Sequence, residues 1–192
     1  MVQLPEKTDE KSEAYKAGYK NICEIGKERI RRAGKAIMSS GGQLSTADKQ
    51  SDQSAPVDIG FRVLKLDSSN MKDVYYTSDA YSKDMFDMLA DNIKGDRTPE
   101  DLLFQIMLDL GIPLSAKIEE DNIAGKKVFK VDGNYLIACF DENLTEETIT
   151  AIAQQHPYYY VMRDSSMAND SVATNFDQIF ATYSPDTDRK VL

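Results

Sequence analysis

Residues 126–140 read KKVFKVDGNYLIACF, two runs rich in apolar and β-branched residues on either side of Asp132-Gly133. An Asp-Gly pair between two such runs is typical of a two-residue β-hairpin turn. Around this hairpin the pattern predicts a strand at 115–121 (SAKIEED), a helix at 145–155, a strand at 158–164 (YYYVMRD) and a helix at 170–183. A chain that ends strand, helix, strand, helix favours two parallel strands in a mixed sheet with helices against it, so the predicted fold class is α/β.

Upstream of the hairpin, the sequence marks both ends of another helix. Thr98 is a good N-cap, Pro99 fits the first turn, and the two acids that follow complement the helix dipole. The next stretch, LLFQIMLDL, is apolar on nearly every side, which predicts a buried helix that ends at Gly111. Before it, alternation predicts a strand at 61–66 (FRVLKL) and helical spacing predicts a helix at 84–93.

The N-terminal region predicts a short strand followed by a long amphipathic helix. Residues 1–4 read as the end of a strand that Pro5 stops, since proline cannot donate to a central ladder. Asn21 is placed to cap a helix that runs to Ser39. Apolar and small residues recur along it at spacings of three and four, which stack on one face: Ile22, Gly26, Ile30, Ala33 and Ile37.

The same predicted helix carries a basic ridge formed by Lys27, Arg31 and Lys35. Glu28 is placed to pair with Arg32, four residues later. A row of cations on one helix face is the best candidate in this sequence for contact with phosphate groups or nucleic acid. The alternative is a charged face that is simply solvated.

Composition and charge divide the chain into unlike parts. Residues 40–56 are rich in serine, glutamine, aspartate and glycine, and cannot bury enough surface to offset the entropy of ordering them. We therefore predict a flexible linker at 40–56 between a unit at 1–39 and an α/β domain at 57–192. Residues 1–40 carry nine Lys or Arg and six Asp or Glu, whereas the remainder carries 14 and 26. A net positive N-terminal region followed by a net negative remainder suggests two units with different surroundings.

The whole chain has 192 residues and a net charge of −9, and the net negative remainder argues against broad contact with nucleic acid. It has no run of 18 apolar residues, so we expect no membrane partner. The acidic start does not resemble a signal peptide, and two distant cysteines do not make a disulfide framework. These features predict a cytoplasmic protein.

Few residues point to catalysis. One histidine, His156, and two scattered cysteines offer no zinc set and no catalytic triad, and no phosphate-cradling glycine loop occurs. The run Tyr158–Tyr160 could stack bases, although a β-strand is the simpler interpretation. Asp141 and Asp164 fall at the carboxyl ends of neighbouring predicted strands, where α/β sheets tend to bind ligands, or else they are ordinary loop residues.

Longer stretches of the sequence resemble one protein family over nearly the whole chain outside 40–56. They are MVQLPEKTDE, NICEIGKERIRRAG, DIGFRVLKLDSSNMKDVYY, DNIKGDRTPEDLLFQIMLDLG, IAGKKVF, LIACFD and RDSSMANDSVATNFDQIF. Together they resemble the C-terminal part of the modification (Mod) subunit of type III restriction–modification systems, a site-specific adenine-N6 DNA methyltransferase.

This resemblance implies a fragment or module of a longer enzyme. The family's catalytic Asp-Pro-Pro-Tyr motif and its Phe-x-Gly-x-Gly-like loop for S-adenosylmethionine do not occur here, so we expect the chain alone to be inactive and to bind no cofactor. Residues 1–39 would be the last strand and helix of a Rossmann-like methyltransferase domain. By position, Gln3 would stand where relatives often have an acid that contacts the cofactor ribose, with Glu6 as the nearby carboxylate.

The resemblance also implies partners, namely the rest of the methyltransferase, a second Mod subunit and the restriction (Res) subunit, with DNA reached only through the full-length protein. The expected role is subunit contact or scaffolding. With its strand severed from a sheet, the N-terminal part should be loosely held or dock in a non-native way. The alternative is an independent acidic interaction or regulatory protein of the modification system. A third hypothesis is a nucleotide-binding half-domain that uses Asp141 and Asp164.

Overall fold

The computed structural model describes residues 2–39, 58–72 and 92–192. Its contacts divide the chain into two compact units, Met1–Leu64 and Lys65–Leu192. The first unit contains one turn of helix, α1 (Glu13–Lys16), and the long helix α2 (Ile22–Ser39). The predicted linker at 40–56 lies outside the described residues, and so does the predicted helix at 84–93 except for its last two positions.

The second unit is built on an open, mixed sheet of five strands. Its elements in chain order are α3 (Pro99–Asp109), β1 (Ile118–Ile123), β2 (Lys126–Val131), β3 (Leu136–Cys139), α4 (Glu146–Ala153), β4 (Tyr159–Met162), α5 (Asp170–Tyr183) and β5 (Asp188–Val191). Strand order in the sheet follows chain order, β1 to β5. The first three strands pair antiparallel, whereas β3–β4 and β4–β5 are parallel. The predicted α/β class, the mixed sheet and its parallel pair are therefore confirmed.

Helices cover both faces of this sheet. On one face, Ile137 and Tyr160 pack with α4 and α5 around Ile149 and Phe180. On the other face, strand residues such as Leu136 share a core with the buried side of α3. Alternate strand residues point to opposite faces, so in the central strands β3 and β4 both sets are apolar and each strand reads as a nearly continuous apolar run. Within the described residues, no helix has the length and apolarity needed to cross a bilayer.

The helix starts follow the predicted caps. Thr98 Oγ1 accepts from the Asp101 amide while Asp101 Oδ2 accepts from the Thr98 amide at 2.8 Å, which is a reciprocal capping box. Asn21 Oδ1 accepts from the Glu24 amide at 3.0 Å, so Asn21 caps α2 as predicted. Gly111, with φ of 69°, follows the last turn of α3, in the left-handed conformation that commonly ends a helix.

The two β-hairpins of the sheet have loops of different length. The predicted hairpin between β2 and β3 is present, and Asp132 and Gly133 have positive φ of 51° and 67°. Its predicted two-residue turn is wrong, because Val131 pairs with Leu136 and the loop therefore has four residues, 132–135. Ala124 and Gly125, with φ of 49° and 80°, form a two-residue turn between β1 and β2, because Ile123 pairs with Lys126. Positive φ at both central residues matches the right-handed twist of the strands. Sequence reasoning missed the second turn because Ala-Gly is not a typical pair there.

Two predicted strands are wrong. Residues 61–66 form no strand, and Leu66 is fully exposed. Residues 2–4 likewise form no strand, and Val2 is fully exposed, while Met1 lies outside the described residues. A segment with alternating apolar residues forms a strand only where a neighbouring strand pairs with its backbone N–H and C=O groups. In the described part of the chain, neither segment has such a neighbour.

Two elements were missed or displaced. β5 has the polar sequence DRKV and gives no alternating apolar signal, because it lies at the edge of the sheet with mostly exposed side chains. The strand predicted at 115–121 starts later, at Ile118, because Pro113–Ala116 forms a turn closed by a 2.9 Å hydrogen bond.

Candidate functional site

Gln3 and Glu6, the two candidate cofactor contacts, lie in the segment before α1 and are exposed. The Gln3 amide group donates to the Leu4 carbonyl at 3.3 Å, and the Glu6 carbonyl accepts from the Ile22 amide at 2.9 Å. These contacts hold the backbone of the segment near the start of α2. Two exposed side chains on a segment without a strand form no cradle for S-adenosylmethionine, so the described residues do not fit that cofactor by themselves.

The basic ridge of α2 is only partly available to a ligand. Lys27 Nζ contacts Glu24 Oε1 at 2.6 Å, and the Arg31 guanidinium lies 5.7 Å from the centre of the Phe61 ring. Lys35 is exposed. Two of the three cations are thus engaged within their own unit, while Lys35 faces solvent at the end of the ridge.

Glu28 forms ion pairs with two basic residues of α2, Arg31 and Arg32. Its Oε1 accepts from Arg32 Nε at 2.8 Å, as predicted, and its Oε2 lies 4.0 Å from Arg31. The hydrogen bond from Arg32, followed by the charges of Arg32, Arg31 and Lys35, lowers the pKa of the Glu28 carboxyl group. A carboxylate at this position offsets part of the positive charge that a phosphate would meet.

The predicted apolar face of α2 is partly exposed: Ile22, Ile30 and Ala33 are exposed, whereas Gly26 and Ile37 are half-buried. Gly34 is the buried residue of α2, because Ile59 lies against it: a Cβ at Gly34 would meet the Ile59 Cβ at 3.0 Å. Gly34 lies one turn after Ile30, yet Ile30 and Ile22 remain 39% and 40% exposed. Ala33, which follows Ile30 by three residues and lies on the same face, is also exposed. A helix of this pattern normally buries its apolar face.

The carboxyl ends of β3 and β4 are adjacent, as the parallel pairing predicted, but their polar groups serve the fold. Asp141 Oδ2 accepts from the Lys127 amide at 2.7 Å. The Asp164 amide donates to the Leu192 carbonyl at 3.0 Å, and its side chain is exposed. Ser166 is fully buried, and its hydroxyl finds no hydrogen-bond partner among the described residues. A parallel bridge between Leu144 and Met167 brings together the segments that follow β3 and β4.

The opposite ends of the same two strands carry three tyrosines that we call the tyrosine patch: Tyr135, Tyr158 and Tyr159. The rings of Tyr135 and Tyr158 stack at 5.2 Å between centroids with an interplanar angle of 5°. Tyr159 stands edge-on to both rings, at 5.6 and 4.8 Å. By contrast, Tyr160 is completely buried against Phe176 and Phe180. The run of three tyrosines therefore divides between surface and core.

Sequence reasoning identified Tyr158 but missed Tyr135. Each of these residues directly precedes one of two parallel neighbouring strands, and the Tyr159 amide donates to the Tyr135 carbonyl at 2.8 Å. The register of β3 and β4 would have placed the two rings side by side. That register is a long-range property, however, and the strand patterns alone do not determine it.

His156 is exposed and has φ of 51°, three residues after Ala153, the last residue of α4. Among residues 2–39, 58–72 and 92–192, no three His, Cys, Asp or Glu side chains form a group that could hold a metal ion.

No family model matches this chain, and no curated protein matches it significantly. Within the described residues, the exposed apolar side chains of α2 and the tyrosine patch offer surface for contact with another macromolecule.

Proposed function

We propose that this chain is the C-terminal module of the Mod subunit of a type III restriction–modification system, and that it acts by contact with other subunits rather than by catalysis. The ordered resemblance of its sequence to that subunit supports the family, and the exposed apolar face of α2 carries the proposed role. In this proposal residues 1–39 are the end of a Rossmann-like methyltransferase domain, of which this chain forms the helix α2 but no strand at residues 2–4.

The open face of α2 fits a helix that has been separated from its sheet. Ile22, Ile30 and Ala33 lie on one side of α2, and all three are exposed. Exposure of these side chains to water is unfavourable, because each one loses the free energy that its burial would contribute. The rest of the methyltransferase domain would cover this stripe, and the basic ridge would then lie at the edge of that domain.

Association with the catalytic part of the enzyme tests this proposal. That part, made as a separate polypeptide with the Asp-Pro-Pro-Tyr motif, would be mixed with this chain, and association would be measured by light scattering without DNA. Burying the exposed fraction of an isoleucine is worth about 1 kcal/mol, or roughly a fivefold change in affinity. We expect Ile30→Gln to weaken association by about this factor, and the control Lys35→Gln, which places the same side chain on the basic ridge, to leave it unchanged.

Methyl transfer from labelled S-adenosylmethionine to duplex DNA provides the second measurement. The mixture should transfer methyl groups, whereas this chain alone should not. Methyl transfer by the chain alone would overturn the non-catalytic role. A failure of the two parts to associate, or equal effects of the two substitutions, would overturn the proposed contact.

A further inference from the structure

The tyrosine patch leaves aromatic ring surface open to solvent. Tyr135 is 42% exposed and Tyr158 is 56% exposed, although the two rings stack on each other. Buried tyrosines usually pack against apolar neighbours, as Tyr160 does in this sheet. The two exposed, stacked rings form an aromatic surface, and the backbone beside them is held by hydrogen bonds from the Tyr158 amide to the Asn134 carbonyl at 3.1 Å and from the Tyr159 amide to the Tyr135 carbonyl at 2.8 Å.

Carboxylates flank this surface. Asp132 lies three residues before Tyr135 in the hairpin turn, and Asp188 pairs with Tyr159 in the register of β4 and β5. Both aspartates are exposed. Desolvation, followed by Tyr135, Tyr158 and the charge of Asp188, raises the pKa of the Tyr159 hydroxyl. The negative faces of the rings and the neighbouring carboxylates together favour a cation over an anion.

An open cleft of about 400 Å³ adjoins the patch. It lies between the loop at 111–116, which follows α3, and the hairpin residues Asp132 and Tyr135. Its walls include Ile112, Pro113 and Ala116, so it can receive an aliphatic stem beside one carboxylate. Tyr135 belongs to the tyrosine patch and also lines the cleft, together with Asp132, so the patch and the cleft form one continuous surface.

We propose that the tyrosine patch and this cleft bind an extended basic segment of a partner protein, with an arginine guanidinium stacked on Tyr135 or Tyr158. A guanidinium suits this surface because it stacks on aromatic rings and also pairs with carboxylates. Residues 65–192 carry 12 Lys or Arg against 23 Asp or Glu, so the charge of the unit attracts the same partner. The inference rests on the second unit alone and does not depend on the proposed enzyme family.

A nucleic acid strand is the less favourable occupant. Bases can stack on tyrosines, but single-strand binding also needs a basic groove along the phosphates. Asp132 and Asp188 flank these rings, and the cleft walls include no Lys or Arg among the described residues. The carboxylates would repel the phosphates that accompany a stacked base.

Amide NMR titration of the whole chain provides the test. The probe is a short peptide of alternating arginine and glycine, compared with a lysine–glycine peptide of equal length and with an oligothymidine strand. We expect the arginine peptide to shift amides at 111–116, 132–135, 158–159 and 188. The lysine peptide should bind about threefold more weakly because an ammonium stacks less well, and the affinity of both should fall as salt is raised.

Three variants locate the contact. Tyr158→Leu removes a ring but keeps apolar bulk, and should weaken arginine-peptide binding about fivefold. Asp132→Asn removes one charge while keeping a residue that tolerates positive φ, and should weaken binding about twofold. The control Tyr183→Leu changes a tyrosine on α5 that is 41% exposed and should have no effect.

Three outcomes would overturn the proposal. One is the absence of shifts at millimolar arginine peptide, and another is equal weakening by Tyr158→Leu and Tyr183→Leu. The third is tighter binding of oligothymidine than of the arginine peptide at the same amides, which would assign the patch to nucleic acid instead.

Discussion

The packing of α3 on the sheet can be tested with two leucines of the same helix. Leu103 is 1% exposed and belongs to the core that α3 shares with β2 and β3, whereas Leu108 is 63% exposed. Replacing each by alanine makes the same chemical change at a buried and at an exposed position. The difference between the two variants therefore reports the burial of α3 rather than its helix propensity.

The expected magnitudes follow from these exposures. Leu103→Ala removes buried carbon atoms worth about 2.5 kcal/mol of transfer free energy and leaves a cavity, so the free energy of unfolding should fall by about 3 kcal/mol. Leu108→Ala gives up little burial and gains slightly in helix propensity, so its loss should stay below about 1 kcal/mol. We expect the two variants to differ by about 2 kcal/mol or more.

Urea unfolding measures this difference. The chain has ten tyrosines and no tryptophan, so tyrosine fluorescence reports tertiary structure while far-ultraviolet circular dichroism reports the helices. Coincident transitions with equal urea dependence would justify comparing the variants. If Leu103→Ala destabilised the protein no more than Leu108→Ala, α3 would not pack on the sheet in solution as described here.

Three further predictions concern single positions. Ala124→Asn should raise the free energy of unfolding by about 0.5–1 kcal/mol, because Ala124 has φ of 49° in a turn that favours Asn-Gly; a lower urea midpoint would contradict this. Burial raises the pKa of the Cys139 thiol to about 11, so a thiol reagent at pH 8 should label Cys23 in the native protein and Cys139 only after unfolding; rapid labelling of both refutes this. Hydrogen bonds from the backbone and hydroxyl of Thr98 lower the pKa of the Asp101 carboxyl group, so its contribution is present above the unfolded pKa near 4 and is lost as the pH falls through the folded pKa. Unfolding measured from pH 6 to pH 2 should show a smaller acid-induced loss in Asp101→Asn, and unchanged pH dependence would refute the assignment.

Local signals predicted those parts of the fold that depend on neighbouring residues. Asp132-Gly133 predicted the hairpin between β2 and β3, although its loop has four residues rather than two, and Thr98 and Asn21 cap the helices that begin directly after them. The strand predicted at 61–66 failed because pairing depends on a distant partner, which alternation does not identify. β5 was not predicted because its residues are polar. A strand at the edge of a sheet can consist of polar residues when the neighbouring strand, here β4, supplies the hydrogen bonds.

The candidate surfaces show the same limit. The sequence identified the apolar stripe and the basic ridge of α2, because both follow helical spacing. It could not predict that Ile59 would pack on Gly34 and leave Ile30 exposed, since residues 25 positions apart make that contact. The tyrosine patch likewise depends on the register of two strands separated by a helix.

The sheet of the second unit has a consequence for how the protein folds. Because strand order follows chain order, each strand joins the edge left by the preceding one, and no strand must insert between two that are already paired. The two hairpin pairings, β1–β2 and β2–β3, close short loops at a small entropic cost, whereas the parallel pairings β3–β4 and β4–β5 each span a helix. The hairpins should therefore form first, and the parallel pairings more slowly. We expect the unit to grow from the β1–β2 hairpin towards β5, with α4 and α5 laid down on one face as successive strands are added.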